Sequence, residues 1–309
     1  MLLSNQLRSC TRLQTRFLHS TRTMAGTKDW NATQYLMFED ERTRPCSDLA
    51  SRIPLQSPRN IVDLGCGPGN STAVLASRFP QAHLTGLDSS PDMIEKAKKR
   101  LPNTQFTLAD LISYTPSEPV DVFFSNATLQ WLPSADRINV ITRLIDSQRS
   151  GGVFALQVPD NLSEPSHEAM RQTVFDGPWE TSLKALQRGR DSIQSPQELY
   201  DHLKPLCSRI DLWHTTYYHV LDGHDAIVEW LKSTGLRPFI DPLSPKEREG
   251  FLHAYRNRLK GAYPACYDGK VILPFPRLFM VAVKAWLGLI RSTHCFCAKV
   301  VEVVSNLLF

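Results

Sequence analysis

Apolar residues cross the centre of this chain in short blocks, each broken by a polar turn. The blocks Asn60–Leu64, Ala82–Asp88, Thr104–Ala109, Val120–Ser125 and Gly152–Val158 read as strands. Between them the spacing becomes helical, as over Asn70–Phe79 and Asp92–Arg100. Ser90 is placed to cap the second of these helices. Pro91 takes its first position, where the missing N–H costs nothing. Strands alternating with helices predict an α/β fold with a parallel sheet covered on both faces.

After residue 158 the rhythm changes. Residues 159–206 are polar, proline-containing and helix-prone. Cys207–Leu221 reads as a long strand, His224–Ser233 and Pro245–Tyr263 as helices, and Lys270–Lys284 as a last strand. Helical insertions are therefore expected near 159–206 and 222–270. Insertions beside the carboxyl ends of strands usually build a substrate pocket.

Composition removes several function classes. A net charge of +4 over 309 residues is too small for nucleic-acid binding without a basic patch. No run reaches the ~18 uncharged apolar residues that a membrane span needs. The apolar tail after Lys284 is interrupted by Arg291, Lys299 and Glu302. Seven scattered cysteines without a paired CxxC spacing suggest reduced thiols and no structural zinc. Residues 1–24 hold Arg8, Arg12, Arg16 and Arg22, many Ser and Thr, and no acid. They read as a mitochondrial transit peptide, or else as a disordered basic tail. Initiation at Met24 would leave a cytoplasmic form.

The most informative stretch is Ile61–Thr72, IVDLGCGPGNST. Gly65, Gly67 and Gly69 allow a tight turn and close approach of backbone to a ligand. A dinucleotide fingerprint would place glycine or alanine where Asn70 stands, and a P-loop would need Gly-Lys-Ser/Thr. Asp63 before the turn is unfavourable beside phosphates and suits an amine. Asp88 ends the second strand, where an acid can accept from both hydroxyls of a ribose. Asp110 ends the third, where a carboxylate can accept from an exocyclic adenine amine. The competing reading makes Asp88 and Asp110 helix caps.

This ordered set resembles the class I S-adenosylmethionine-dependent methyltransferases, and the resemblance runs over roughly residues 28–284. It implies a Rossmann-like, seven-stranded, mostly parallel sheet with its last strand antiparallel, capped by the helical insertions. It implies S-adenosyl-L-methionine as cofactor. Asp63, Gly65, Gly67 and Gly69 would hold the methionine end, Asp88 and Ser89 the ribose, and Asp110 and Leu111 the adenine, with Met93 packed on the ring. Asn126 would meet the methionine amine, and Trp30, Tyr35 and Arg44 would close over the cofactor. The segments Asp29–Leu49, Ser125–Pro133, Gln157–His167, Trp213–Phe239 and Leu273–Lys284 resemble a bacterial branch of the family that esterifies a carboxylate of trans-aconitate. The leader and everything after Lys284 depart from that pattern.

A carboxylate acceptor is ionised at neutral pH, since its reference pKa is about 4, so no general base is required. Cationic and hydrogen-bonding groups should surround a small tricarboxylate. The candidates are Arg42, Trp131, His167, Tyr217, Tyr218 and Arg237, with Arg277, His219 and His224 nearby. Asn126, Gln130 and Trp131 in SNATLQW are the candidates beside the reacting atoms. Each has a plainer reading: Arg42 and Arg44 as solvated helix charges, His167 as a surface or capping residue, Asn126 as a cap. One of Tyr217 and Tyr218 should be core. A methyltransferase for another small acid or a phenol, and a non-catalytic cofactor-binding assembly factor, are the competing functions. No N/D-P-P-Y-like segment follows the fourth strand, which disfavours nucleic-acid methylation. A monomer is expected.

Overall fold

A computed structural model describes residues 38–184 and 190–286. The leader, Trp30, Tyr35 and the tail beyond Trp286 lie outside the described residues. Strands β1 (Asn60–Leu64), β2 (His83–Asp88), β3 (Gln105–Leu108), β4 (Val122–Asn126), β5 (Val153–Pro159), β6 (Cys207–Leu221) and β7 (Val271–Lys284) form one sheet. Its order is β3-β2-β1-β4-β5-β7-β6. Strands β1 to β5 pair in parallel, and β7 runs antiparallel to both β5 and β6. This is the expected α/β sheet with its last strand reversed. The strand order turns back between β1 and β4, and at such a point a crevice opens outside the carboxyl ends.

Helices α1 (Glu39–Ser51) and α2 (Asn70–Arg78) lie on one face, where Cys46, Leu49 and Leu75 pack with Ile61, Phe124, Ala155 and Phe279. Helix α3 (Pro91–Arg100) begins as anticipated, with the Ser90 hydroxyl accepting from the Met93 amide at 3.3 Å. Helix α4 (Ser134–Ser147) packs on the opposite face through Val140, Ile141, Leu144 and Ile145, against Phe123, Phe154 and Leu156. Helices α5 (Pro165–Thr173) and α6 (Glu180–Leu183) follow β5, and α7 (Pro196–Leu203) joins α4 on its face through Leu199 and Leu203. Helices α8 (Gly223–Lys232), α9 (Arg237–Ile240) and α10 (Pro245–Ala262) lie between β6 and β7. With α5 they enclose a separate core of Met170, Trp179, Trp230, Phe251 and Tyr255. Helices α7 and α10 each start at a capping box, Ser195 with Glu198 and Ser244 with Glu247.

Side chains alternate between the faces of a strand, so the core assignments fix where the strand ends point. Phe124 lies beneath α1, and two residues on, Asn126 projects on the same face. In register beside it, Gln157 shares that face, and Asp63 does so through its pairing with Phe124. The same count along β7 and β6 adds Arg277, Tyr217 and His219. Six polar or aromatic side chains thus line one side of the sheet near its carboxyl edge.

One segment differs from the pattern reading. Gln130 and Trp131 belong to a 3-10 turn, Leu129–Trp131, and α4 begins only at Ser134. Pro133 forces the preceding Leu132 into an extended conformation, with ψ of 146°, which separates turn from helix. Arg137, 1% exposed, then fastens the turn to the chain ahead of α7. Its guanidinium donates to the carbonyls of Leu129, Leu132 and Ser192 and to Gln194 Oε1. Arg137→Met would remove a donor from each of these acceptors, leaving only the Leu129 carbonyl with another among the described residues, the Leu132 amide. We expect it to lower unfolding free energy by about 3 kcal/mol in urea denaturation; a loss below about 1 kcal/mol would contradict this role.

Candidate active site

The glycine turn between β1 and α2 is built for its sharpness. Gly65, Gly67 and Gly69 have φ of +73°, +54° and +91°. A Cβ on Gly65 would sit 2.1 Å from the Thr128 methyl, so the turn lies directly against SNATLQW. At Gly67 nothing lies within 4 Å of an added Cβ, and the backbone faces open space. The loop amides are spent internally. Those of Gly65 and Cys66 donate to the Leu87 carbonyl, Gly67 to Asp88 Oδ2, and Gly69 to the Cys66 carbonyl. A phosphate would need such amides turned toward it, so this loop does not cradle a pyrophosphate.

Asp63 is 1% exposed. Its Oδ2 accepts from the hydroxyls of Ser71 and Thr72, each at 2.6 Å, while Oδ1 is buried without a hydrogen-bond partner among the described residues. Burial raises its pKa to about 6, despite the opposing pull of the two hydroxyls. An ionised buried carboxylate with one idle oxygen calls for a cation, and an ammonium meets that demand. Asn126 Oδ1, on the same face, is also buried without a partner. These idle acceptors, and the open space at Gly67, fit the amino-acid end of S-adenosylmethionine.

Asp88 and Asp110 both accept local backbone bonds, but neither caps a helix: Ser90 is the N-cap of α3, and Asp110 leads into a turn. Asp88 accepts from the amides of Gly67 and Ser90, each at 2.9 Å, tying the end of β2 to the glycine turn. Asp110 accepts from the Ile112 amide at 2.9 Å and is exposed. A carboxylate oxygen has two acceptor sites, so these bonds are compatible with further ones to a ribose or an adenine amine. Ser89 is exposed beside Asp88, while Met93 and Leu111 are buried next to the two acids.

The segment after β4 is held under strain. Ala127 has φ of +54°, a conformation that a Cβ disfavours. It is secured from three sides: its amide donates to the Gln157 carbonyl, its carbonyl accepts from Gln130 Nε2 at 2.6 Å, and Thr128 Oγ1 donates to the Asn126 carbonyl. Gln130 is thus a brace for the turn, with Oε1 buried and without a partner.

A cationic cluster lies farther along the same face. Arg42 donates to the Trp230 carbonyl and to Ser233 Oγ and stacks over the Trp230 ring. Arg277 donates to Gln157 Oε1 at 3.2 Å and stacks over Phe275. Arg44 lies over the Tyr217 ring, whose hydroxyl donates to Asp48. Between them His219 is buried against Trp230, with its pKa lowered to about 4 by burial and then by Arg277, Arg42 and Arg44. These arginines therefore create a positive potential at the ring. The sequence reading named Arg42, Arg44 and Tyr217 but missed Gln157. No local pattern distinguishes that glutamine from any other strand residue.

Other candidates lie apart from this cluster. Strand alternation turns Tyr218 to the opposite face, where it is 67% exposed, so Tyr217 is the inward member of the pair. Arg237 pairs with Asp241 one helical turn on, at 3.3 Å. His224 bonds the Tyr263 carbonyl. Phe38, in contrast, stacks on Trp230 of the cluster itself, with centroids 4.8 Å apart. Trp131 and His167 meet at a second cavity with Arg171 and Arg190, two cations absent from the sequence reading.

A family model described as a methyltransferase domain matches residues 61–152. The chain is 52% identical over 256 residues to a trans-aconitate 2-methyltransferase of Rhodopseudomonas palustris (strain BisB18), covering 83% of this chain and 99% of that relative. It is 48% identical over 259 residues to the protein of that name from Methylobacterium radiotolerans, covering 83% and 99%. The one from Agrobacterium fabrum is 48% identical over 255 residues, covering 82% and 99%.

The buried acid carries a pH signature. With its pKa raised, Asp63 holds its proton longer in the folded state. The stabilisation from that proton is complete below the usual carboxylate range near 4 and is lost as pH rises through about 6. An ammonium ligand pairs with the ionised form. Affinity for S-adenosylmethionine, measured by calorimetry, should therefore be greatest near pH 7 and fall about tenfold per unit well below pH 6. Asp63→Asn should bind at least tenfold more weakly at pH 7.5 and lose that slope. Equal affinity in both proteins would remove Asp63 from the cofactor site.

Proposed function

The chain belongs to the trans-aconitate 2-methyltransferase family, and on that footing we propose that it moves a methyl group from S-adenosylmethionine to a carboxylate of trans-aconitate, leaving a monomethyl ester. One observation carries the reading. On a single face, idle acceptors on β1 and β4 give way to cations beside β5 and β7, in the order that a cationic cofactor and an anionic acceptor require.

The cofactor, when bound, supplies a methyl group activated by a positively charged sulfur. Asp63 and Asn126 would accept from its ammonium, Asp88 from the ribose and Asp110 from the adenine amine, with Met93 and Leu111 as apolar packing. Arg42, Arg44 and Arg277 would neutralise the acceptor, with Gln157 orienting the Arg277 guanidinium through its 3.2 Å bond. The acceptor oxygen is ionised before it binds, so it forms the new O–CH3 bond as the S–CH3 bond breaks, and no proton is transferred. Rate enhancement then comes from alignment and from exclusion of water. His167 and His219 are held neutral, with pKa values lowered to about 3 and about 4. The relatives' names do not favour a phenolic acceptor or a non-catalytic assembly role.

Purified protein with labelled cofactor should convert trans-aconitate to one monomethyl ester, with NMR fixing its position. Turnover should be independent of pH between about 7 and 9, because no base has to ionise in that window. Arg277→Gln should raise the KM for trans-aconitate at least tenfold with little change in cofactor affinity. Efficient methylation of a phenol, with no turnover of the tricarboxylate, would overturn the proposal. The basic leader is part of the same proposal, as an address to mitochondria, with initiation at Met24 giving a cytoplasmic form. Fluorescent fusions made from each start should localise differently; identical localisation would contradict this.

A further inference from the structure

Beyond the 3-10 turn that carries Trp131 lies a small cavity to which no part of the transfer step has been assigned. Trp131 forms one wall, His167 and Arg171 of α5 another, Arg190 a third, and Gly235 lies between α8 and α9. A Cβ on Gly235 would stand 2.9 Å from His167 Nε2, so the lack of a side chain there keeps the space open. His167 is 6% exposed, and its Nδ1 lies 3.3 Å from the Ser166 hydroxyl. With that hydroxyl donating, the ring proton sits on Nε2, facing Gly235.

The two guanidinium groups are held by neutral acceptors. Arg190 Nη2 donates to Asn161 Oδ1 at 2.6 Å and to the Pro159 carbonyl at 3.3 Å, and Arg171 Nη1 donates to the Leu162 carbonyl at 2.7 Å. Arg190 Nη1 is buried and has no hydrogen-bond partner among the described residues. Asp160, the acid next in sequence to Pro159, is bonded to His214 at 2.9 Å. A desolvated guanidinium compensated by neutral carbonyls is an incomplete arrangement, and a carboxylate completes it. Burial, and then Arg137 close by, lower the Arg190 pKa to about 10 against the opposing pull of Asp160, so the charge is only partly compensated. The cavity also adjoins the transfer site. Pro159, which Arg190 bonds, is the register partner of Arg277, and Trp131 ends the turn that follows Asn126 and Ala127.

We propose that the residues around this cavity recognise a carboxylate of the acceptor that is not methylated, with Arg190 as its principal ligand and Arg171 and His167 in support. The inference rests on the proposed tricarboxylate reading and deepens it. Arg42 and Arg277 serve the end near the methyl group, and Arg190 recognises the far end. A polycarboxylate spans both places, and a monocarboxylate fills one. Arg190 is then a specificity-determining residue.

The test compares wild type with Arg190→Gln, Arg190→Lys and Arg171→Gln, on trans-aconitate and on an unsaturated monocarboxylate. Arg190→Gln should raise the KM for trans-aconitate about 30- to 100-fold, leave kcat within about 3-fold, and change the monocarboxylate by less than about 3-fold. Arg190→Lys should recover part of the loss, and Arg171→Gln should show a smaller loss of the same kind. Cofactor affinity and melting temperature should match wild type. An equal loss on both acids, or an unchanged KM for trans-aconitate, would overturn the assignment. A second readout needs no turnover: calorimetric binding of propane-1,2,3-tricarboxylate with S-adenosylhomocysteine present. If wild type methylates no carboxylic acid, the proposed function fails. The subsite then survives if wild type binds the trianion and Arg190→Gln does not, and falls if both bind it alike or neither does.

Discussion

Parallel strands paired in register put their partner residues on the same face, and the whole site hangs from that constraint. Because Phe124 must lie under α1 to complete the core, Asn126 two residues later has to emerge on that side of the sheet. Asp63 and Gln157 follow through their pairing with β4, and Arg277 through its strand. A slip of one residue in any of these strands would move its functional side chain to the face covered by α4 and α7. The apolar core and the chemistry are therefore specified together.

Along this face the electrostatic character changes sign. Beneath α1 and α2 lies a buried carboxylate with an idle oxygen, followed by an idle amide oxygen. Beyond β5 come guanidinium groups that donate to Gln157, Ser233 and the Trp230 carbonyl and stack on aromatic rings. The tight glycine turn has used its own amides on Leu87, Asp88 and Cys66, which keeps it from acting as a phosphate cradle. One crevice can then hold a cation and an anion side by side without a titrating base between them.

The strain at Ala127 belongs to the same design. A non-glycine residue at positive φ costs of order 1 kcal/mol or more. It persists because Gln157, Gln130 and Thr128 each hold a neighbouring backbone group. The Thr128 hydroxyl also lies 3.1 Å from the Gly65 carbonyl, so the turn after β4 and the glycine turn are in direct contact.

Much of this was legible along the chain. The strand blocks, the Ser90–Pro91 start of α3 and the helices at Gly223 and Pro245 follow from periodicity and capping chemistry, which act over a few residues. The acids at successive strand ends and the odd glycine spacing likewise place Asp63, Asp88 and Asp110 along one edge of the sheet. Which of the candidate cations converge was not legible. Arg237, near the crevice in sequence, turns to Asp241; Tyr218 points outward; and Arg190 reaches in from a stretch with no motif. Local spacing settles whether a residue lies on a strand or a helix, because hydrogen bonding and capping are short-ranged. Whether its charge faces a ligand depends on partners such as Gln157 and Arg277, 120 positions apart, and those meet only once the sheet has closed.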